Sequence, residues 1–367
     1  MKKVLFTATV DSHIIQFHIP YLKWFKEQGY EVHVATNGDE KIEYCDVKHK
    51  IPFERNPIKI NNIKAIFKLK KIIEEEKFDI IHCHTPMGGV VTRLAAINSR
   101  KKYNTKVIYT AHGFHFFKGA PLLNWMIYYP IEKILSNVTD CIITINKEDY
   151  ELAKKKFNAK HIELVNGVGV NANKFTSKIP DQEKLKLRKK LEIKKDDFVI
   201  IYAAELSRRK NQEMLIKAIS LIDEDKYQNI KVILPGVDSL NGKYQEMAKK
   251  LGLENKIKFL GYRTDIDKLM KISDLAVSTS RQEGLPVNIL EAMMVGLPII
   301  ATNCRGNRDL VNKTINIDDV VTLKKQIIYH IENRGIPKYE IKKFLLETIM
   351  GKMIKIYIKI NEEESNE

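Results

Sequence analysis

Two carboxylates, Glu283 and Glu291, stand with seven residues between them, and that interval opens with Gly284, Leu285, Pro286 and Val287. Residues 274–280 alternate and branch like a short buried strand. Apolar residues at 287, 290, 294 and 295 recur as on one helix face, so the stretch reads as strand, tight loop, helix. Pro286 suits the first helical position, and Gly284 lets a backbone or ligand come close. The free N–H groups of 284–287 and the positive end of the helix dipole favour an anion such as a diphosphate. A carboxylate beside a phosphate repels it unless it holds neutral donors. On a phosphorylated metabolite those donors are sugar hydroxyls, which makes a nucleotide sugar the economical ligand.

Other candidates complete that chemistry. Arg208, Arg209 and Lys210 lie where a strand ends and a helix begins, a place unfavourable for cations unless they hold an anion. The plainer reading is three exposed basic residues. His112 precedes Gly113 at the carboxyl end of a strand, where α/β sheets place ligand contacts, and His115 follows closely. His82 and His84 share a strand face, but no cysteine or histidine cluster in the sequence completes a ligand set, so a satisfied histidine is expected and no metal site. Asp11, Ser12 and His13 follow the first strand. Asn166, Gly167 and Val168 read as a turn. Phe114, Phe116, Phe117, Trp125, Tyr128 and Tyr129 crowd one short stretch; packing accounts for about half of them, and Trp and Tyr also suit a boundary between water and an apolar phase.

The elements that must position these residues alternate strand and helix. Strands are expected at 4–9, 31–36, 47–53, 78–85, 106–112 and 140–145, with helices at 20–28, 60–76, 88–98, 122–135 and 147–157. Residues 161–167 finish the first series, and the first part of 171–195 reads as a linker. Strands at 198–206, 230–235, 257–260, 274–280 and 298–302 make a second series. The expected class is α/β, with two Rossmann-like doubly wound parallel-sheet domains facing a central cleft. The boundaries are 1–175, 176–337, a helix within 338–361 that returns to the first domain, and a disordered acidic tail at 362–367. In the helix at 60–76, Ile60, Ile63, Phe67 and Ile73 mark one face and Lys64, Lys68 and Lys71 another, the basic one suited to lipid headgroups.

The chain has 367 residues with 62 Lys and Arg against 46 Asp and Glu, a formal net charge of +16 without a basic tail. The plain reading of this charge is lysine-rich codon usage with solvated helix faces; the functional one is attraction to anionic lipid or diphosphates. Nucleic acid is not expected, since no recognition motif is present. Four cysteines lack paired spacing, no signal peptide is read, and the longest uncharged apolar run, 119–131, falls short of the roughly 20 residues a spanning helix needs. A cytoplasmic protein follows. Neither a Gly-x-Gly-x-x-Gly nor a P-loop is present, so no dinucleotide cofactor is expected.

Glu283 and Glu291, with Gly284, Leu285 and Pro286 between them, resemble the Glu-x7-Glu motif of retaining family 4 glycosyltransferases of the GT-B fold. The likeness is to the branch that builds bacterial capsular, exopolysaccharide and lipid-linked glycans. Ala204, Leu206 and Lys210 resemble the family's Gly-x-Leu-x-x-x-Lys loop, with Glu205 where many relatives have arginine. Arg305 to Asp309 is similar to a later glycine loop centred on Gly306. Residues 312–319 are contracted and polar where relatives carry an Asn-Gly turn and a short strand.

The resemblance implies a hexose or N-acetylhexosamine donor on a nucleotide diphosphate of the UDP type, and a lipid-linked glycan acceptor. Glu291 would hold the ribose and Glu283 the donor sugar. Arg209 and Lys210, with Arg208 beside them, would hold the diphosphate, and His112 would orient the donor. Leu285, Val287, Asn166 and Gly306 would border the donor, and His13, His84 and His115 the acceptor. No cofactor is implied, and no metal, since Arg209 and Lys210 take up the charge a metal would neutralise. Asp265 with Asp267 and Asp223 with Asp225 are read as helix-end and loop acids. Attachment to the inner face of the plasma membrane is expected through the anionic surface. Rival readings are a sugar-nucleotide epimerase of the same architecture and a non-catalytic polybasic membrane or polymer binder.

Overall fold

The structure, a computed structural model, describes residues 1–362. The described residues divide into two compact units, 1–169 with 347–362, and 170–346. The acidic tail expected to be disordered lies outside the described residues from 363 on, and Glu362 ends the last helix, Leu346–Glu362.

The first unit is built on seven parallel strands: β1 Lys3–Thr7, β2 Glu31–Thr36, β3 Val47–Lys50, β4 Ile80–His84, β5 Lys106–Ala111, β6 Cys141–Thr144 and β7 His161–Leu164. Their order is β3-β2-β1-β4-β5-β6-β7. β1 shows why the sheet is buried on both faces. Val4 and Phe6 join one apolar cluster with Tyr21, Phe25 and Met353, whereas Leu5 joins another with Ala65, Leu69 and Ile73. Successive side chains point to opposite faces, so a run apolar at every position needs helices on both. The final helix covers one face with Ile349, Met353, Ile356, Tyr357 and Ile360.

The second unit carries β8 Phe198–Ile201, β9 Ile230–Pro235, β10 Ile257–Gly261, β11 Leu275–Ser278 and β12 Ile299–Ala301. These are parallel in the order β10-β9-β8-β11-β12. In each unit the order reverses about the first strand, at β1 beside β4 and at β8 beside β11. Such a switch point leaves a crevice at the carboxyl ends of the strands, where open α/β sheets bind ligands.

Several local expectations need correction. Residues 11–13, beyond the first strand, begin the helix Asp11–Phe17, which is not among the expected elements. Asp11 there is spent on structure: its carboxylate accepts from Thr36 Oγ1 at 2.5 Å, Lys48 Nζ at 2.8 Å and the Glu40 N–H at 2.8 Å. The supposed linker folds as the helices Ala172–Thr176 and Asp181–Lys190, and Phe175 is buried. Val170 exchanges backbone hydrogen bonds with Phe344 and Leu346, which draws 170–175 and 338–346 into the second unit. In the helix Asn61–Glu76 the inward face is Asn62, Ala65, Leu69 and Ile73. Ile60, Ile63 and Phe67 are exposed instead, because apolar residues on this helix occupy more than one face.

Candidate active site

In the second unit the loops that leave β8 and β11 are fastened together. Tyr202, just past β8, donates its hydroxyl to the Lys210 carbonyl at 2.7 Å and pairs with Ser280 Oγ at 2.8 Å. The Arg281 N–H donates to the Arg209 carbonyl at 2.9 Å. This brings Lys210 Nζ to 2.5 Å from Glu283 Oε1, which also accepts from Ser280 Oγ at 2.5 Å. Arg209 Nη1 lies 3.5 Å from Glu283 Oε2. Glu283 is 6% exposed, so it is a buried carboxylate held by two cations and a hydroxyl. A buried charge needs such partners, and this one has them. The sequence assigns Glu283 and the cations to separate parts of a ligand; the structure joins them in one ion-paired cluster, in which Arg209 also lies 4.0 Å from Glu205. Arg208 is exposed beside it, and no ion pair ties it to Glu283.

The helix after this loop is Val287–Val295, with Pro286 at its N-cap in extended backbone. Pro286 therefore precedes the first helical position instead of filling it, and Val287 is the first helical residue. Leu285 is buried. Glu291 lies one turn further on, and burial pushes its carboxyl up to about 7 from 4.5, opposed by Lys174 and reinforced by Asp267. A desolvated carboxylate of this kind accepts hydroxyl hydrogens well, since nothing else competes for its lone pairs. Gly306 packs on the Gly284 loop so closely that a Cβ there would sit 2.4 Å from the Gly284 carbonyl oxygen. The Arg305 Nε–H donates to the Glu283 carbonyl at 3.2 Å.

Sequence reasoning missed the support behind this loop. The contracted segment contributes Asp318, in left-handed backbone, which accepts from Asn211 Nδ2 at 3.1 Å and pairs with Arg281. Arg281 also donates to Asn211 Oδ1 at 3.0 Å. Ile315 still pairs with the end of β12, its N–H donating to the Ala301 carbonyl at 3.0 Å. The only signal was the contraction itself, and it gave no hint of a partner. The Asp-x-Asp pairs are engaged locally: Asp265 receives Arg263 at 2.8 and 2.6 Å without capping its helix, and Asp223 accepts the N–H of Asp225 at 3.0 Å.

In the first unit the β1/β4 switch point gathers rings rather than charges. His84 ends β4, His112 follows β5, His13 lies on the helix Asp11–Phe17, and His18 joins that helix to the next, Ile19–Glu27. His13 Nε2 is 3.3 Å from His112 Nε2, and His18 stacks on His84 with centroids 3.7 Å apart. His82 is satisfied, with Tyr357 OH and Thr110 Oγ1 each at 2.8 Å. His84 is not: although fully buried, neither of its ring nitrogens has a hydrogen-bond partner, and the same holds for buried His18. This corrects two expectations, that His84 is a satisfied histidine and that no further histidines complete a cluster. Burial pushes His112 down to about 4 and His82 to about 3, and holds His13, His18 and His84 well below the usual histidine range.

Beside the cluster opens a cavity of about 590 Å³ whose lining includes His13, Phe17, Arg55, Met87, Phe116 and Tyr128. His115 packs against Tyr128 in its wall, the rings tilted with centroids 4.7 Å apart. Phe114 and Phe116 are buried and stacked at 4.9 Å, so these aromatics are core. The apolar surface of this region comes instead from the helix Leu122–Leu135, where Leu122, Leu123, Met126 and Ile134 are 63 to 74% exposed. Among the described residues no helix is long and apolar enough to cross a membrane. Gly167 makes the expected turn with φ +86°, and Asn166 beside it is half-buried.

Comparison with known proteins gives the lineage. Residues 183–339 match the family model for glycosyl transferases group 1, and residues 3–146 that for glycosyl transferase 4-like proteins. The chain is 44% identical over 337 residues to the putative glycosyltransferase EpsD of Bacillus subtilis, covering 90% of this chain and 88% of the relative. It is 31% identical over 261 residues to an Escherichia coli UDP-Gal:alpha-D-GlcNAc-diphosphoundecaprenol alpha-1,3-galactosyltransferase, over 70% and 66% of the two chains. The structure of Anabaena Alr3699/HepE with UDP and glucose superposes with a TM-score of 0.79 at 20% identity, over 98% of this chain and all of that one. The two Rossmann-like sheets are thus those of the GT-B fold, and the chain belongs to the group 1, family 4-like glycosyltransferases.

Proposed function

We propose that the chain transfers a hexose or N-acetylhexosamine from a UDP-sugar to a lipid-linked glycan acceptor in cell-surface polysaccharide synthesis, with retention at the anomeric carbon. The observation that carries the donor half is the cluster of Lys210, Arg209 and buried Glu283 at the β8/β11 switch point. Lys210 and Arg209 are held by Glu283 and, for Arg209, also by Glu205 at 4.0 Å, so a diphosphate would draw them from these carboxylates, with Arg208 exposed beside them. As that anion binds, it competes for the cations, and Glu283 turns its oxygens to the sugar hydroxyls. Glu291 takes the ribose hydroxyls. Because fixed cations and the helix start at Val287 stabilise the leaving UDP, transfer needs no metal on the diphosphate.

The acceptor half rests on the first unit. Its cavity is wide enough for a sugar ring and mostly apolar, with His13, Arg55 and His115 as polar contacts. His112 is this unit's contribution to orienting the transferred sugar. Exposed Leu122, Leu123 and Met126, with Ile60 and Phe67 among the lysines of 61–76, form the surface for peripheral attachment to an anionic membrane, where a lipid-linked acceptor resides. A relative active on a diphosphoundecaprenol acceptor supports this class.

Incubation with UDP-sugars tests the reading. Slow release of UDP by donor hydrolysis is the expected result. A changed sugar on intact nucleotide would make the chain an epimerase, and inertness to every nucleotide sugar would leave a polymer or membrane binder.

A further inference from the structure

We infer that His13, His18, His84 and His112 form a binding site for one divalent cation of the zinc class. One ring nitrogen from each lies within 4.8 Å of all the others. The parallel register sets His84 and His112 at the ends of adjacent strands, and the two helices after β1 lay His13 and His18 across them.

Three observations separate this cluster from ordinary buried histidines. First, His18 is 3% and His84 0% exposed, yet all four of their ring nitrogens lack a protein partner. A buried unsatisfied polar group costs on the order of 1–3 kcal/mol, so something outside the chain is expected to meet these nitrogens. Second, a cavity of about 20 Å³ borders three of the four, His18, His84 and His112, together with His82 and Thr110, while His13 lines the larger cavity. The smaller one is the room one water or one ion needs. Third, the 3.3 Å between His13 Nε2 and His112 Nε2 matches the edge of a tetrahedron whose metal–nitrogen bonds are about 2.0–2.1 Å. The remaining nitrogen separations are at most 4.8 Å. Neutral imidazole is the ligand that zinc, copper and nickel accept.

A second grouping shows what a filled site looks like. Glu31, His33 and Glu76 are equally close together, but Lys3 Nζ sits 2.5 Å from Glu76 and 3.6 Å from Glu31. His33 is bonded through both nitrogens, to His49 at 2.9 Å and Glu31 at 3.0 Å. An internal cation already serves those carboxylates, and nothing there calls for another.

A metal here has a different role from the charge neutralisation assigned to Arg209 and Lys210. It would engage His112, so zinc would also suppress transfer, a consequence that rests on the proposed function. Equilibrium binding reads the site without that assumption. Full-length protein stripped with a chelator is titrated with zinc by calorimetry, and cobalt(II) is added separately to record its visible spectrum. One zinc per chain and a tetrahedral cobalt spectrum are expected. His84→Gln and His18→Gln should each weaken zinc by about tenfold or more, whereas His330→Gln, outside the cluster, should leave it unchanged. Should those two variants fail to fold, His13→Gln at the half-buried rim replaces them with the same expectation. A wild-type chain that takes up no zinc, or variants that bind it as the wild type does, would overturn the site and give the cavity to water.

Discussion

The two switch points of this molecule are alike in topology and opposite in chemistry. At β8/β11 a buried carboxylate is compensated by two cations, and a further carboxylate, Glu291, is raised by burial to about 7. At β1/β4 a cluster of histidine rings, held neutral by burial, and the Thr9–Thr85 hydroxyl pair lie beside a mostly apolar cavity. Strand order determines where a ligand can enter, and side chains determine which ligand. A charged donor suits the first arrangement. An acceptor that offers hydroxyls and an apolar tail suits the second.

The largest effect should come from breaking the charged arrangement. Lys210→Ala removes the closest partner of buried Glu283 and, with it, the contact proposed for the diphosphate. Turnover should fall by roughly ten- to a hundred-fold, the equivalent of about 1.5–3 kcal/mol for one charge-assisted contact, read by steady-state kinetics on a UDP-sugar. Wild-type kinetics in this variant would misplace the donor site.

Glu291 sharpens the contrast through pH. Its folded pKa of about 7 exceeds the ordinary 4.5, so between these values the unfolded chain loses its proton first and stability falls as pH rises. The loss approaches about 3 kcal/mol above the folded pKa and vanishes below the unfolded one. Glu291→Gln should therefore melt higher than wild type in alkaline buffer and equally in acid, while binding donor more weakly. A melting difference that is absent in alkaline buffer, or larger in acid, would contradict the burial argument.

Smaller effects follow. Gly306→Ala forces a methyl group against the Gly284 carbonyl and should destabilise the second unit by about 1–3 kcal/mol in thermal unfolding. Leu123→Glu with Met126→Glu should reduce sedimentation with anionic liposomes at high salt. Lysine substitutions within 64–71 should act at low salt, at about 1 kcal/mol per basic residue. No sedimentation of the wild type at low salt would remove the membrane surface from the account.

Strand positions were legible because both sheets are buried on both faces: 31–36 and 230–235 are apolar or branched runs bounded by turns, and they emerge unchanged as β2 and β9. Glu283, Glu291, Arg209 and Lys210 were legible as local motifs beside a helix start. That Glu283 meets Lys210 was not, since the contact spans 73 residues and depends on the β8/β11 neighbourhood. The histidine cluster was hidden for the same reason. His13, His18, His84 and His112 have no motif spacing, and only strand adjacency brings them together. The exposed face of 60–67 was misread because apolar periodicity marks a stripe without saying what it meets.

The central claim is that fixed cations of the second unit, rather than a metal, hold the donor diphosphate. Calorimetric titration of UDP into metal-stripped protein in excess EDTA tests it, with the wild type compared to the Arg209→Ala, Lys210→Ala double variant. UDP binding that survives chelation in the wild type and is lost in the folded double variant is the predicted result. Binding that disappears in EDTA and returns only with magnesium or manganese, or that is unchanged in the double variant, would contradict it.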